Sequence, residues 1–255
     1  MLRVESLEVS DLVEKSILTE PFTDFTDNHM HIDPINGEGV DAVKKFERAG
    51  GRFIFLVCKT TTSWNFKSNL GGFEKLFDAT MELSEEINEN TGATAFPVLG
   101  VHPAEFAGMC ESSSVTKALD VAKAAIDAAG SRIGDGKAVA IGEVGRPHFE
   151  VSQEVLDASN ELMTYAFEIA SDIDCAVQLH TESVDDEQLR EFGALAASVG
   201  LDPKRVIKHY SPPLIPEAEE AGIFPSLIAS EDNIKNAIQQ GSRFLMESDY
   251  IDELE

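Results

Sequence analysis

Six histidines lie at, or within a few residues of, the ends of apolar runs. His29 and His31 follow FTDFTDN, His102 follows ATAFPVLGV, and His148 comes shortly after AVAIGEVG. His180 follows CAVQL and His209 follows RVIK. Imidazoles gathered at one end of successive strands are what an open divalent-metal site requires. In DNHMHID the two histidines are two residues apart, so on an extended chain they point to one side and reach one ion. Glu143 ends the apolar strand AVAIGE, where an unpaired carboxylate would be costly. It needs a cation, supplied either by Arg146 as an ion pair or by two metals that it bridges. Convergence of four imidazoles on the same rim favours the bridge. His180 and His209 are singly ordinary core histidines; together, each closing its own strand, they become candidate ligands. Asp249 in RFLMESDY completes the set, with Glu247 as a rival for the same role.

Four neutral nitrogens and two carboxylates shared between two divalent ions leave positions open for water and substrate. The donor mix suits Zn, Mn, Co or Ni, and carboxylate-bridged Mg is compatible where substrate phosphate completes its shell. Such a pair, about 3.5–4 Å apart, activates water near neutral pH and polarises the bond to be cut.

These residues must be carried by a repeating order of elements. Strands are predicted near 22–28, 52–58, 93–101, 137–144, 174–180, 204–209, 222–228 and 242–247. Helices are predicted near 39–49, 72–89, 115–129, 153–171, 185–198 and 231–240, with only a short one after the prolines of SPPLIPEAEEAG. FIFLVC, AVAIG and CAVQL read as parallel strands covered on both faces. Ser152 is placed to cap a helix whose stripe is Val155, Leu156, Leu162, Met163, Ala166, Phe167 and Ile169. Eight strands alternating with helices predict one α/β domain over 1–255, a (β/α)8 TIM barrel. Its eighth helix is missing, or replaced by the N-terminal VSDLVEKSIL.

Composition bounds the setting. The chain has 255 residues, 43% of them apolar, and no apolar stretch long enough to span a bilayer. There is no secretory pattern at the N-terminus. Cys58, Cys110 and Cys175 lack CxxC spacing and read as reduced thiols of a cytoplasmic protein. Acidic residues number 46 against 20 basic, a net charge of -26 spread along the chain. That balance fits work in high salt, where screening weakens self-repulsion, and disfavours non-specific nucleic-acid binding in low salt.

The order HxH, Glu after the fourth strand, His after the fifth and sixth, and Asp after the eighth resembles the TatD-related metal-dependent hydrolases of the amidohydrolase superfamily. The likeness covers roughly residues 24–250 and rests on DNHMHID, GVHP, IGEVG, QLH, KH and MESDY. The resemblance implies a binuclear site: His29 and His31 on the first ion, His180 and His209 on the second, Glu143 bridging. Asp249 would ligate the first ion and handle the proton, and His102 would face substrate. Arg146-Pro147-His148 departs from the usual family turn and is similar to an archaeal branch of predicted metal-dependent hydrolases.

The expected substrate is a small-molecule or nucleic-acid phosphoester, so deoxyribonuclease or phosphodiesterase activity is in view. Arg146 and His148, with Lys59 and Lys208, would offset the negative field, Arg146 being the best phosphate fork unless it is paired to an acid. Trp64, with Phe66 and Lys67 on the loop after the second strand, would stack on a base or anchor that loop. An amide, lactone or cyclic-imide hydrolase is the alternative reading. A non-catalytic metal- or partner-binding barrel is the third.

Overall fold

Among the described residues nine parallel strands wind into a ring, and the chain visits them in spatial order. The computed structural model describes residues 24–254; the predicted N-terminal cover VSDLVEKSIL lies outside the described residues. The strands are β1 (Phe25–His31), β2 (Gly51–Val57), β3 (Thr94–Leu99), β4 (Ala140–Gly145) and β5 (Ala176–His180). They continue with β6 (Val206–Lys208), β7 (Phe224–Ile228), β8 (Leu245–Glu247) and β9 (Tyr250–Ile251). Between them run α1 (Val40–Arg48), α2 (Leu70–Asn90), α3 (Pro103–Ser112), α4 (Val115–Gly134), α5 (Gln153–Ile173), α6 (Asp186–Ser198), α7 (Ile215–Ala221) and α8 (Glu231–Gln240).

Closure depends on a divided last strand. β8 pairs with β7, and β9 pairs with β1 through Met30 and Tyr250. Only Ser248 and Asp249 separate the two pieces, so the outer members of the sheet are joined by the chain itself. Asp249 N donates to His29 O at 3.1 Å, and Asp252 N to His31 O at 3.0 Å. Asp249 takes a left-handed φ of 50°, a conformation Asp tolerates better than most residues.

Helix signals act as the residue chemistry dictates. Ser152 accepts from Val155 N at the start of α5, and Asp185 with Gln188 forms a capping box on α6. Val155, Leu162, Met163, Ala166 and Phe167 of α5 are buried against the sheet. Emptying the Phe167 position would cost about 3–5 kcal/mol. Gly145 ends β4 at φ 146°, where a Cβ would lie 2.2 Å from His180 O. The missing side chain lets β4 run against β5, bringing Glu143 beside His180.

Three boundaries differ from the sequence reading. β1 begins later and holds His29 and His31 inside the strand rather than beyond it. α3 lies outside the predicted helices, and Pro103 at its first turn with His102 as its cap starts it. β9 is an added strand, formed because the chain after Asp249 completes the pairing of β1. No helix follows β9 among the described residues. An apolar cavity of about 470 Å³, lined by Phe25, Met30, Phe46, Met246 and Tyr250, lies beside this seam. No described helix is long and apolar enough to cross a membrane.

Candidate metal centre

β1 delivers His29 and His31 into the ring mouth, where both are buried. Their Nε2 atoms stand 3.1 Å apart. His31 Nδ1 lies 3.0 Å from Val57 O, which only accepts, so that nitrogen carries the proton. His29 Nδ1 lies 2.9 Å from Gln178 Oε1. Gln178 Nε2 donates to Asn28 O at 2.8 Å, which fixes the amide orientation and makes His29 Nδ1 a donor too. Both Nε2 atoms therefore present lone pairs to the same point, an arrangement that a cation resolves.

Glu143 sits opposite, with its side chain 3% exposed, and its two oxygens face different imidazoles. Oε2 is 3.5 Å from His31 Nε2, 3.6 Å from His29 Nε2 and 3.9 Å from His102 Nε2. Oε1 is 2.7 Å from His180 Nδ1 and 3.7 Å from His209 Nε2. Among the described residues three overlapping groups have metal-ligand spacing: His29, His31 and Asp249; His29, Glu143 and His209; His102, Glu143 and His180. Asp249 Oδ1 is 3.9 Å from His29 Nε2.

The electrostatics follow from crowding. Burial penalises the Glu143 carboxylate, but the charge of His29 and contacts with His102 and His180 outweigh it, holding Glu143 well below the usual carboxylate range. Burial also disfavours charge on His29, yet Glu143 wins and raises it to about 9. His31 falls to about 3, through burial and then the charge on His29. The pair thus accommodates one positive charge between them. Burial pushes Asp249 up.

His102 is wired differently. Its Nδ1 accepts from Ala104 N at 3.1 Å, so the proton of the neutral ring is on Nε2, facing the site. That makes it a hydrogen-bond donor toward the centre rather than a lone-pair ligand. Burial lowers it to about 4, which keeps it neutral. His148 Nδ1 lies 2.9 Å from His180 Nε2. A cavity of about 370 Å³ opens over these groups, lined by His148, His180, Thr181, Ser183, His209, Tyr210 and Asp249.

Of the groups expected to meet phosphate, His148 lines this cavity and the others lie elsewhere. Arg146 bonds Glu182 at 3.2 Å and Glu191 at 2.7 Å and stacks over Phe192. Lys59 bonds Asp33 at 2.9 Å and reaches Glu253. Lys208 is fully buried and donates to His209 O. Trp64 is buried in the core, with Phe66 packed beside that core. None of these five residues is among those lining the cavity over the imidazoles. Glu247 and Asp249 are not rivals: Glu247 Oε1 is 2.8 Å from His209 Nδ1, while Asp249 faces His29. Gln178 escaped the sequence reading, although its place two residues before His180 on one strand puts both side chains on one face.

The family model described as TatD related DNase matches residues 26–254. The chain belongs to the TatD-related DNase family. This is a metal-dependent hydrolase family, and the clustered His, Glu and Asp groups lie where the barrel opens. A relative from Methanocaldococcus jannaschii, the uncharacterized protein MJ1127, is 40% identical over 237 residues, covering 90% of this chain and 80% of the relative. Among solved structures, the TatD homologue YJJV of Escherichia coli K12 is 20% identical, with a TM-score of 0.59, covering 88% of this chain and 78% of that one. An uncharacterized amidohydrolase from Saccharomyces cerevisiae is 15% identical, also at a TM-score of 0.59, covering 89% and 75%. At these identities the two structures bear on the fold, which is that of TatD proteins and amidohydrolases.

Proposed function

We propose that this TatD-related chain works as one catalytic unit that holds two divalent cations and hydrolyses a phosphoester. The observation that carries the reading is the pair of opposed Nε2 lone pairs on His29 and His31, with Glu143 facing them through one oxygen and His180 and His209 through the other. This donor set fits two cations. His29, His31 and Asp249 would hold one, His180 and His209 the other, and Glu143 both. When bound, the cations supply Lewis acidity and a water that ionises near neutral pH.

The chain's own groups do the rest. Gln178 and Val57 O orient His29 and His31, and Glu247 orients His209. Asp249, raised above its ordinary value by burial, takes the proton of the attacking water and returns it to the leaving group. His102 donates from Nε2 to a substrate oxygen. His148, on the cavity wall, contacts the same substrate. The cavity of about 370 Å³ favours a small group or a single-stranded end over a duplex. Zn, Mn, Co, Ni and Mg all suit these donors.

A second reading, hydrolysis of an amide, lactone or cyclic imide, is favoured by one specific observation. Arg146 and Lys59 are committed to acids, which leaves the cavity without a free guanidinium or ammonium among its lining residues. The deciding experiment offers phosphodiesters, including single-stranded DNA, phosphomonoesters, amides and lactones to the protein with Mn2+, Zn2+ or Mg2+ at low and molar salt. Turnover of a phosphoester that a chelator abolishes and metal restores supports the first reading. Turnover confined to amides or lactones overturns it. Three buried free thiols and a net charge of -26 favour a reducing, salt-rich cytoplasm as the setting.

A further inference from the structure

β7 gives no residue to the ligand set, yet Ser226 on it is wholly buried among polar groups. Its hydroxyl donates to Glu247 Oε2 at 2.5 Å and accepts from Asn28 Nδ2 at 3.0 Å. Glu247 faces His209 Nδ1 through its other oxygen. Asn28 O accepts from Gln178 Nε2, and Gln178 Oε1 faces His29 Nδ1. The contacts form an unbroken line: His209, Glu247, Ser226, Asn28, Gln178, His29. Every member is at most 3% exposed, so the line runs through the interior. The two terminal rings stack on each other at 3.7 Å and 20°.

Donor counting gives the line a direction. Asn28 Nδ2 only donates, so the single proton of Ser226 goes to Glu247. Both Glu247 oxygens act as acceptors, Oε2 from Ser226 and Oε1 from Tyr210 N at 2.7 Å, so His209 Nδ1, 2.8 Å from Oε1, faces an acceptor and is matched to it only as N–H. At the other end the Asn28 carbonyl demands the Gln178 amino group, leaving Gln178 Oε1 to demand a proton from His29 Nδ1. Both imidazoles are thereby held with Nδ1 as the N–H side and Nε2 turned toward the centre.

We propose that Ser226, Asn28, Gln178 and Glu247 are coupled positioning residues that fix the tautomers of His29 and His209 together, although these belong to different ions. The inference rests on the metal-centre reading and not on any substrate. Full-length protein with 15N-labelled histidine is titrated with Zn2+, following affinity and the Nδ1–H signals of both rings. Wild type should show two slowly exchanging Nδ1–H protons. Ser226→Ala, which touches neither ring, should lower Zn2+ affinity about 10- to 100-fold and speed exchange at His209 and at His29. Gln178→Met should speed exchange at the remote His209 proton, a response that a local packing defect beside His29 does not give. It serves equally should Ser226→Ala fail to fold. The double variant should lose less affinity than the two singles added together. Strict additivity, or an unmoved far-end proton in either variant, overturns the coupling. Wild-type protein that takes up no Zn2+ sinks the metal-centre reading and the coupling with it, whereas absence of turnover on every substrate leaves this test intact.

Discussion

The Nε2 atoms of His29 and His31 confront each other at 3.1 Å while both Nδ1 atoms are engaged as donors. A proton or a metal must occupy that point. In the metal-free protein it is a proton on His29, whose ordinary value of 6.5 is raised to about 9 because the Glu143 charge outweighs burial. Metal must displace this proton below about pH 9, so affinity should climb as pH rises toward 9. Calorimetry in buffers of different ionisation enthalpy should register proton release on metal uptake at neutral pH. The same shift has a stability consequence of opposite sign. A raised folded-state value stabilises fully below 6.5 and is lost as pH rises through about 9. Metal-free protein should therefore weaken over that window, as denaturant midpoints will read.

Glu143 faces His29 and His31 with one oxygen and His180 and His209 with the other. Glu143→Ala should then lower bound metal from two ions to one or none, with activity lost in parallel. His29→Ala should behave alike. Elemental analysis showing two ions in purified Glu143→Ala protein would exclude the bridging role.

Asp249 stands at the cavity wall, 3.9 Å from His29 Nε2. Asp249→Asn keeps its size and removes its ability to take a proton. Turnover should fall by about 10²–10⁴-fold, with at least one ion retained, as stopped-time assays beside metal analysis will show.

Arg146 is held by Glu182, Glu191 and the face of Phe192 rather than offered to the cavity. Arg146→Ala should cost about 2 kcal/mol of stability, the order expected for hydrogen bonds to charged groups. Urea unfolding tests this, and KM should stay unchanged. A raised KM at constant stability would restore Arg146 to a substrate role.

With 46 acidic and 20 basic residues, like-charge repulsion opposes the compact state. At about 1 M salt the screening length shrinks to about 3 Å, so melting temperature should rise from low salt to molar KCl. A flat or falling melting curve would remove high salt as the reason for the acid excess.

Strand positions and the convergent imidazoles were legible because apolar runs such as FIFLVC and CAVQL mark covered parallel strands, and one-ended placement of histidines survives any barrel closure. β1 was misplaced because DNHMH is polar yet buried on both faces, so hydropathy ended the strand too early. α3 went unseen although His102-Pro103 is a start signal, since PAEFAGMCES shows little two-sidedness. Pairings such as Asn28 with Ser226 span 198 positions, and no local pattern announces them. The fates of Arg146 and Lys59 were equally hidden, because a lone cation in so acidic a chain has many candidate partners.

The two-residue link between β8 and β9 places Asp249 at the weld of the ring. With Asp249 in its proposed role, fastening the cylinder and arming the reaction are a single event in this molecule. Warming that springs the weld would swing Asp249 away from His29 while β2 to β6 stay zipped. Chemistry should then fall silent at a temperature where most of the helical signal still persists.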